Sequence, residues 1–152
     1  MTDMTLETLV WQTRMDVLDH LDLSLSIPVV DGLQAQGDLI VIPLAMIEPM
    51  ITIYPGAGPL GAGGWAEVPP DGIELLRGES GANPHTLVAD RGTCRWTRNI
   101  RDADGLAIGV FENTAVAYLL HPEHGASGVT PGRYVVRRQR ERDGRRARLV
   151  AD

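Results

Sequence analysis

The stretch Asp104–Gly105–Leu106–Ala107–Ile108–Gly109–Val110–Phe111–Glu112–Asn113–Thr114–Ala115–Val116–Ala117–Tyr118–Leu119–Leu120–His121 decides the fold class. It holds two short apolar runs, Leu106–Phe111 and Val116–Leu120, and each reads as a strand. Asp104–Gly105 is a turn signal in front of the first, since glycine reaches backbone angles closed to other residues. Working outward, the same signature recurs. Asp38–Leu39–Ile40–Val41–Ile42–Pro43 is a short apolar strand closed by proline. Ile73–Leu76, Thr86–Ala89 and Arg95–Thr97 are further strand candidates at short, regular spacing. Many short strands with glycine turns between them predict a small antiparallel β-barrel or sandwich, not a parallel α/β sheet.

The two ends differ from this middle. Leu6, Val10, Thr13, Val17 and Leu21 recur at steps of three or four and predict a helix over 5–21, with Asp3 or Thr5 as its cap. Leu23–Ser24–Leu25–Ser26–Ile27 alternates as a strand that Pro28 stops. At the other end, Thr130–Pro131–Gly132 suits a type II turn, with glycine supplying a positive φ. Arg133–Gln139 then alternates, Asp143–Gly144 is a hairpin signal, and Ala147–Val150 is the returning strand. Between Pro49 and Pro70, prolines and glycines mark a long loop or two short strands around Ile51–Tyr54. The 152 residues are therefore expected to form one domain: an N-terminal helix and strand (1–30), a β core (37–132) and an arginine-rich β-hairpin (133–150).

An apolar fraction of 43% with 22% charged residues is ordinary globular composition, so disorder is excluded. The longest apolar runs, near Leu39–Ile47 and Ala115–Leu120, fall short of the roughly 20 residues of a membrane helix. No basic region followed by an apolar stretch opens the chain, and the one cysteine, Cys94, has no internal partner for a disulfide. These features predict a cytoplasmic protein. All 14 basic residues are arginine, and eight of them stand in the last 20 positions beside three acids, which gives that end +5. The first 132 residues carry 17 acids and six arginines, or −11. Such segregation suits docking on another subunit, on an anionic partner or on the chain's own body. Glu141 and Asp143 interrupt the arginines and the whole chain is acidic, which argues against nucleic acid as the partner.

Four histidines remain to be placed. His20 falls on the polar side of the predicted helix. His85 follows a glycine-rich turn that begins Gly78–Glu79, and His121–Pro122–Glu123–His124 ends the strand Val116–Leu120. Imidazole binds divalent transition metals through a neutral ring nitrogen, and a site needs three or four donors on rigid elements. Two strand ends of a small β-fold can bring such donors together; turn histidines that only make hydrogen bonds are the alternative. Cys94 reads as a small buried hydrophobe, and Asp102 with Asp104, beside a turn glycine, as solvated carboxylates.

These elements resemble a small, largely uncharacterised family of bacterial and phage proteins. The resemblance rests on Gly37–Asp38 with the strand ending Ile42–Pro43, on Gly78–Glu79 to His85, on His121–Pro122–Glu123–His124, and on Pro131–Gly132–Arg133–Tyr134–Val135–Val136–Arg137–Arg138–Gln139–Arg140–Glu141. It spans Gly37 to Asp152. The Gly-Glu…His turn is also similar to the first metal-binding motif of cupins, where histidines and a glutamate hold zinc, iron, manganese or nickel in a β-barrel. That likeness implies His85, His121 and His124, with Glu79 or Glu123, as ligands of a divalent ion. Asn83 stands where the family pattern has a first histidine, so one donor is missing. Two functions stay open. One is a cupin-like metal-binding domain, catalytic if a coordination position is open. The other is a non-enzymatic scaffold for a protein partner or for self-association. It would act through the helix, the Gly56–Trp65 loop and the hairpin, with Trp65, Arg137, Arg138 and Arg140 at the contact.

Overall fold

Phe111 is fully buried and lies opposite Trp96 on one neighbouring strand and Tyr134 on the other. Alternation along that strand turns Val110 and Glu112 to its other side. The structure, a computed structural model, describes residues 4–14, 23, 24, 26–54, 64–77, 84–143 and 146–149. In chain order the elements begin with helix α1 (Leu6–Thr13) and strands β1 (Val29–Val30), β2 (Gln34–Gln36) and β3 (Leu39–Pro43). A short helix α2 (Leu44–Ile47) and a 3-10 turn (Glu48–Met50) lead into β4 (Ile51–Ile53) and β5 (Ala66–Glu67). There follow β6 (Ile73–Arg77), β7 (Pro84–Val88), β8 (Cys94–Thr97), β9 (Ile100–Asp102) and β10 (Ala107–Asn113). The last are β11 (Ala117–His121), β12 (Gly125–Val129), β13 (Gly132–Arg138), β14 (Arg140–Asp143) and β15 (Arg146–Leu149).

Two sheets carry the fold, in strand order β1-β12-β11-β7-β6 and β2-β3-β13-β10-β8-β5. The sheets do not close into a barrel, so of the two predicted forms the protein takes the sandwich. Consecutive strands supply the outer edges: β1 and β2 on one side, β5 and β6 on the other. Among the described strands, pairing is antiparallel except between β1 and β12. The interior joins Leu87, Leu119 and Val129 of the five-stranded sheet to Val41, Trp96, Phe111, Tyr134 and Val136 of the six-stranded one. Each such side chain contributes about 1.5–3 kcal/mol on leaving water.

Both sheets also bury part of an outer face. Leu6 and Leu9 of α1 pack with Ile27, Val88 and Leu120 on the five-stranded sheet. On the six-stranded sheet, Val110 and Val135 lie under Leu44, with Ile47, Ile51, Ile53, Ile100 and Trp65 around them. Among the described residues, no helix is long and apolar enough to cross a membrane.

Several expectations change. Thr5 caps α1 as expected, its side chain accepting from the Thr8 N–H, but the helix stops at Thr13 because Arg14 turns left-handed at φ 57°. The rest of the predicted helix, including His20, lies outside the described residues. Ser26 makes an isolated bridge to Thr5, and the Ile27 N–H donates to the Met4 carbonyl. The segment is thus tied to the start of the helix, and its described residues are not part of a named strand. Gly132 does not take a positive φ; it opens β13, where an added Cβ would meet the Tyr134 ring at 3.2 Å. The terminal hairpin is shorter than expected: Arg140–Asp143 pairs with Arg146–Leu149, whereas Gly132–Arg138 lies between β3 and β10 inside the six-stranded sheet, where both neighbours take its hydrogen bonds.

Candidate functional site

Glutamines at alternate positions of β2 put both amides on one face of that strand, and the face is the interior. Gln34 Nε2 donates to the Gly128 carbonyl at 3.1 Å, and its Oε1 accepts from Ser127 Oγ at 2.6 Å. Gln36 Nε2 donates to the Leu119 carbonyl at 3.1 Å. These amides stitch the edge of the six-stranded sheet to β11 and β12 of the other. The amide nitrogen of Gln36 is thereby oriented, and its Oε1 turns to Nδ1 of His85 at 2.9 Å. Asp38, in the turn after β2, holds Nε2 of the same ring at 2.7 Å, with His85 at 0% and Asp38 at 6% side-chain exposure. Both ring nitrogens face oxygen atoms, Gln36 Oε1 on one side and Asp38 Oδ1 on the other.

His121, also fully buried, lies on β11 with its ring centroid 4.4 Å from that of His85. Its Nδ1 accepts the backbone N–H groups of Glu123 at 3.1 Å and His124 at 3.2 Å. The ring therefore caps the turn His121–His124, and its proton belongs on Nε2. His124 stands with its centroid 4.5 Å from His121, and its side chain reaches solvent. The three predicted imidazoles do come together. His85 directs both ring nitrogens at Gln36 and Asp38, and His121 accepts two backbone N–H groups on Nδ1. Among the described residues no group of three His, Cys, Asp or Glu is placed to hold a metal ion. Glu79 lies outside the described residues.

The other predicted residues are spread out. Trp65 lies half-buried beside β5, with the Arg95 guanidinium 4.2 Å from its ring centre. Arg137 is largely buried, and its Nη2 reaches Asp102 at 2.6 Å. Arg138 is half-buried, and the side chain of Arg140 lies outside the described residues. Asp102 is not a solvated carboxylate: its side chain is 2% exposed. It accepts from the N–H groups of Asp104 at 3.0 Å and Ala107 at 2.8 Å. Burial pushes its carboxyl up, but those donors and Arg137 outweigh burial and hold it below the usual range. Cys94 is buried as expected, and burial pushes its thiol up to about 12.

Sequence reasoning missed Gln34, Gln36 and Asp38. Their signal was present in polar residues at every second position leading into Gly37–Asp38, a pattern that fits an edge strand with a polar inner face. It also missed a cross-strand row on the outer face of the six-stranded sheet. Register places Glu67 opposite Arg95, Arg95 opposite Glu112, and Glu112 opposite Arg133. Glu112 takes Nε of Arg95 on Oε1 at 2.8 Å and Nε of Arg133 on Oε2 at 2.8 Å. The row floors an open groove of about 700 Å³ that Trp65 also lines.

A family model described as Domain of unknown function (DUF8820) matches residues 35–139. Comparison with curated proteins and with solved structures gives no match.

Proposed function

We propose that this chain, which belongs to the family Domain of unknown function (DUF8820), is a non-enzymatic β-sandwich scaffold that works by protein contact, self-association included. The observation that carries this reading is Trp11. It stands 83% exposed on α1, the helix whose Leu6 and Leu9 are packed on the sandwich. A tryptophan held in water on an anchored helix is the kind of anchor that protein interfaces use. Charge segregation supports the same reading: residues 1–31 carry six acids and one arginine, while the last 20 residues carry +5. The inward hydrogen bonds of His85 and His121 fit it too, because they make the histidine cluster part of the fold. Sedimentation over a range of protein concentrations tests it. Concentration-dependent growth in size, or saturable binding of a defined protein partner, that Trp11→Ala weakens without lowering Tm supports the scaffold; a monomer that binds no protein argues against it.

A second reading is a divalent-metal domain holding zinc, iron, manganese or nickel at His85, His121 and His124. The adjacency of the three rings favours it; their present hydrogen bonds do not. Metal analysis of protein prepared without a histidine tag separates the two. About one equivalent of metal, lost in His121→Ala, would favour this second reading.

A further inference from the structure

We infer that the outer face of the six-stranded sheet is a self-complementary surface that pairs two copies of this chain about a two-fold axis. The inference rests on the scaffold reading and names its partner. Glu67, Arg95, Glu112 and Arg133 lie in register across β5, β8, β10 and β13 and line one open groove. The signs along the row run minus, plus, minus, plus. An even, alternating row has a simple symmetry property. Turned over by a two-fold axis that crosses the row between Arg95 and Glu112, it meets its own copy with every charge opposed. Glu67 then faces the second copy's Arg133, and Arg95 faces the second copy's Glu112. Turned about an axis along the row instead, every charge meets its like. The contact therefore specifies one orientation, and the closed two-fold pair uses the same patch on both copies.

Three observations make this face suitable. The guanidinium groups of Arg95 and Arg133 are already oriented by the two oxygens of Glu112, so little side-chain freedom is lost on contact. Both arginine side chains are 53% exposed, so each has outward N–H groups for a second carboxylate. Trp65 stacks on Arg95 at the same groove and supplies apolar surface next to the axis. Water held in the groove between two such faces is usual for a charged interface.

Charge reversal tests the symmetry directly, by analytical ultracentrifugation at low salt with Tm as the folding check. Glu67→Arg alone turns one sign and places like charges opposite each other twice in the pair; Arg133→Glu alone does the same. Each is expected to raise the dimer Kd about tenfold or more. An equimolar mixture of the two variants meets with every sign opposed, so it should associate when neither does alone. The double variant Glu67→Arg with Arg133→Glu should also self-associate again, and Trp65→Ala should weaken the pair. Single reversals that associate as the parent does, a mixture that stays monomeric, or a parent that is monomeric throughout would each overturn the inference. If Trp11→Ala weakens association while the reversals leave it unchanged, the scaffold reading stands and this face is not its interface.

Discussion

Asp38 Oδ1 lies 2.7 Å from Nε2 of His85, and this contact fixes a histidine with no solvent access against a carboxylate from the opposite sheet. The pair joins the β2–β3 turn to β7, so it acts across the two layers as well as between two side chains. Asp38→Ala removes the acceptor and leaves the imidazole buried beside Gln36 and His121. We expect a loss of about 3 kcal/mol, in line with breaking one half of a buried ion pair. Urea unfolding of the parent and the variant measures it. A loss near zero would mean the pair is neutral and dispensable.

Asp102 supplies the pH prediction. Its carboxyl is held below the usual range in the folded protein, despite burial, by the Asp104 and Ala107 N–H groups and by Arg137. A depressed folded value means that the unfolded state binds the proton more readily. The stabilisation is therefore complete above the unfolded carboxylate range, near 3.9, and is lost as pH falls through the folded value. Asp102→Asn should lower stability at neutral pH by about 1–3 kcal/mol. The gap to the parent should narrow toward pH 3; a gap that stays constant down to that pH would rule out this carboxylate as its source.

Gly109 lies under the Trp96 ring, and a Cβ built there would stand 2.3 Å from that ring and 2.7 Å from the Thr97 carbonyl. The irregularity in β10 pairing between Ala107 and Gly109 falls at the same place. Gly109→Ala should cost about 1–3 kcal/mol through overpacking, since the neighbour includes backbone that cannot step aside. A thermal melt equal to the parent's would contradict the close packing of Trp96.

Cys94 should be inert. Its thiol is buried and pushed up to about 12, so almost no thiolate exists at neutral pH. Labelling with a thiol-specific reagent should be slow in the native protein and fast in denaturant. Fast native labelling would place Cys94 at the surface.

Much of the architecture was written in local pattern. The apolar runs that became β3, β6, β7, β8, β10 and β11 announce strands by composition alone, and proline closes the first at Pro43. Gly125–Ala126–Ser127–Gly128–Val129 carries no such signal, yet it forms β12 because β11 and β1 flank it and supply its hydrogen bonds. The histidine cluster was legible as three donors near two strand ends. Its hydrogen bonds were not, because Gln36 and Asp38 stand 49 and 47 residues from His85.

Sequence by itself determined the strand-rich class, the capped first helix and the segregated charge. Periodicity, glycine, proline and charge act over a few neighbours, so they can be read without coordinates. Only the tertiary structure decided that the layers form an open sandwich, that His85 is spent on Asp38, and that Glu67, Arg95, Glu112 and Arg133 fall into one row. Those outcomes depend on which distant strands pair and in what register, and register is set by packing across the whole molecule.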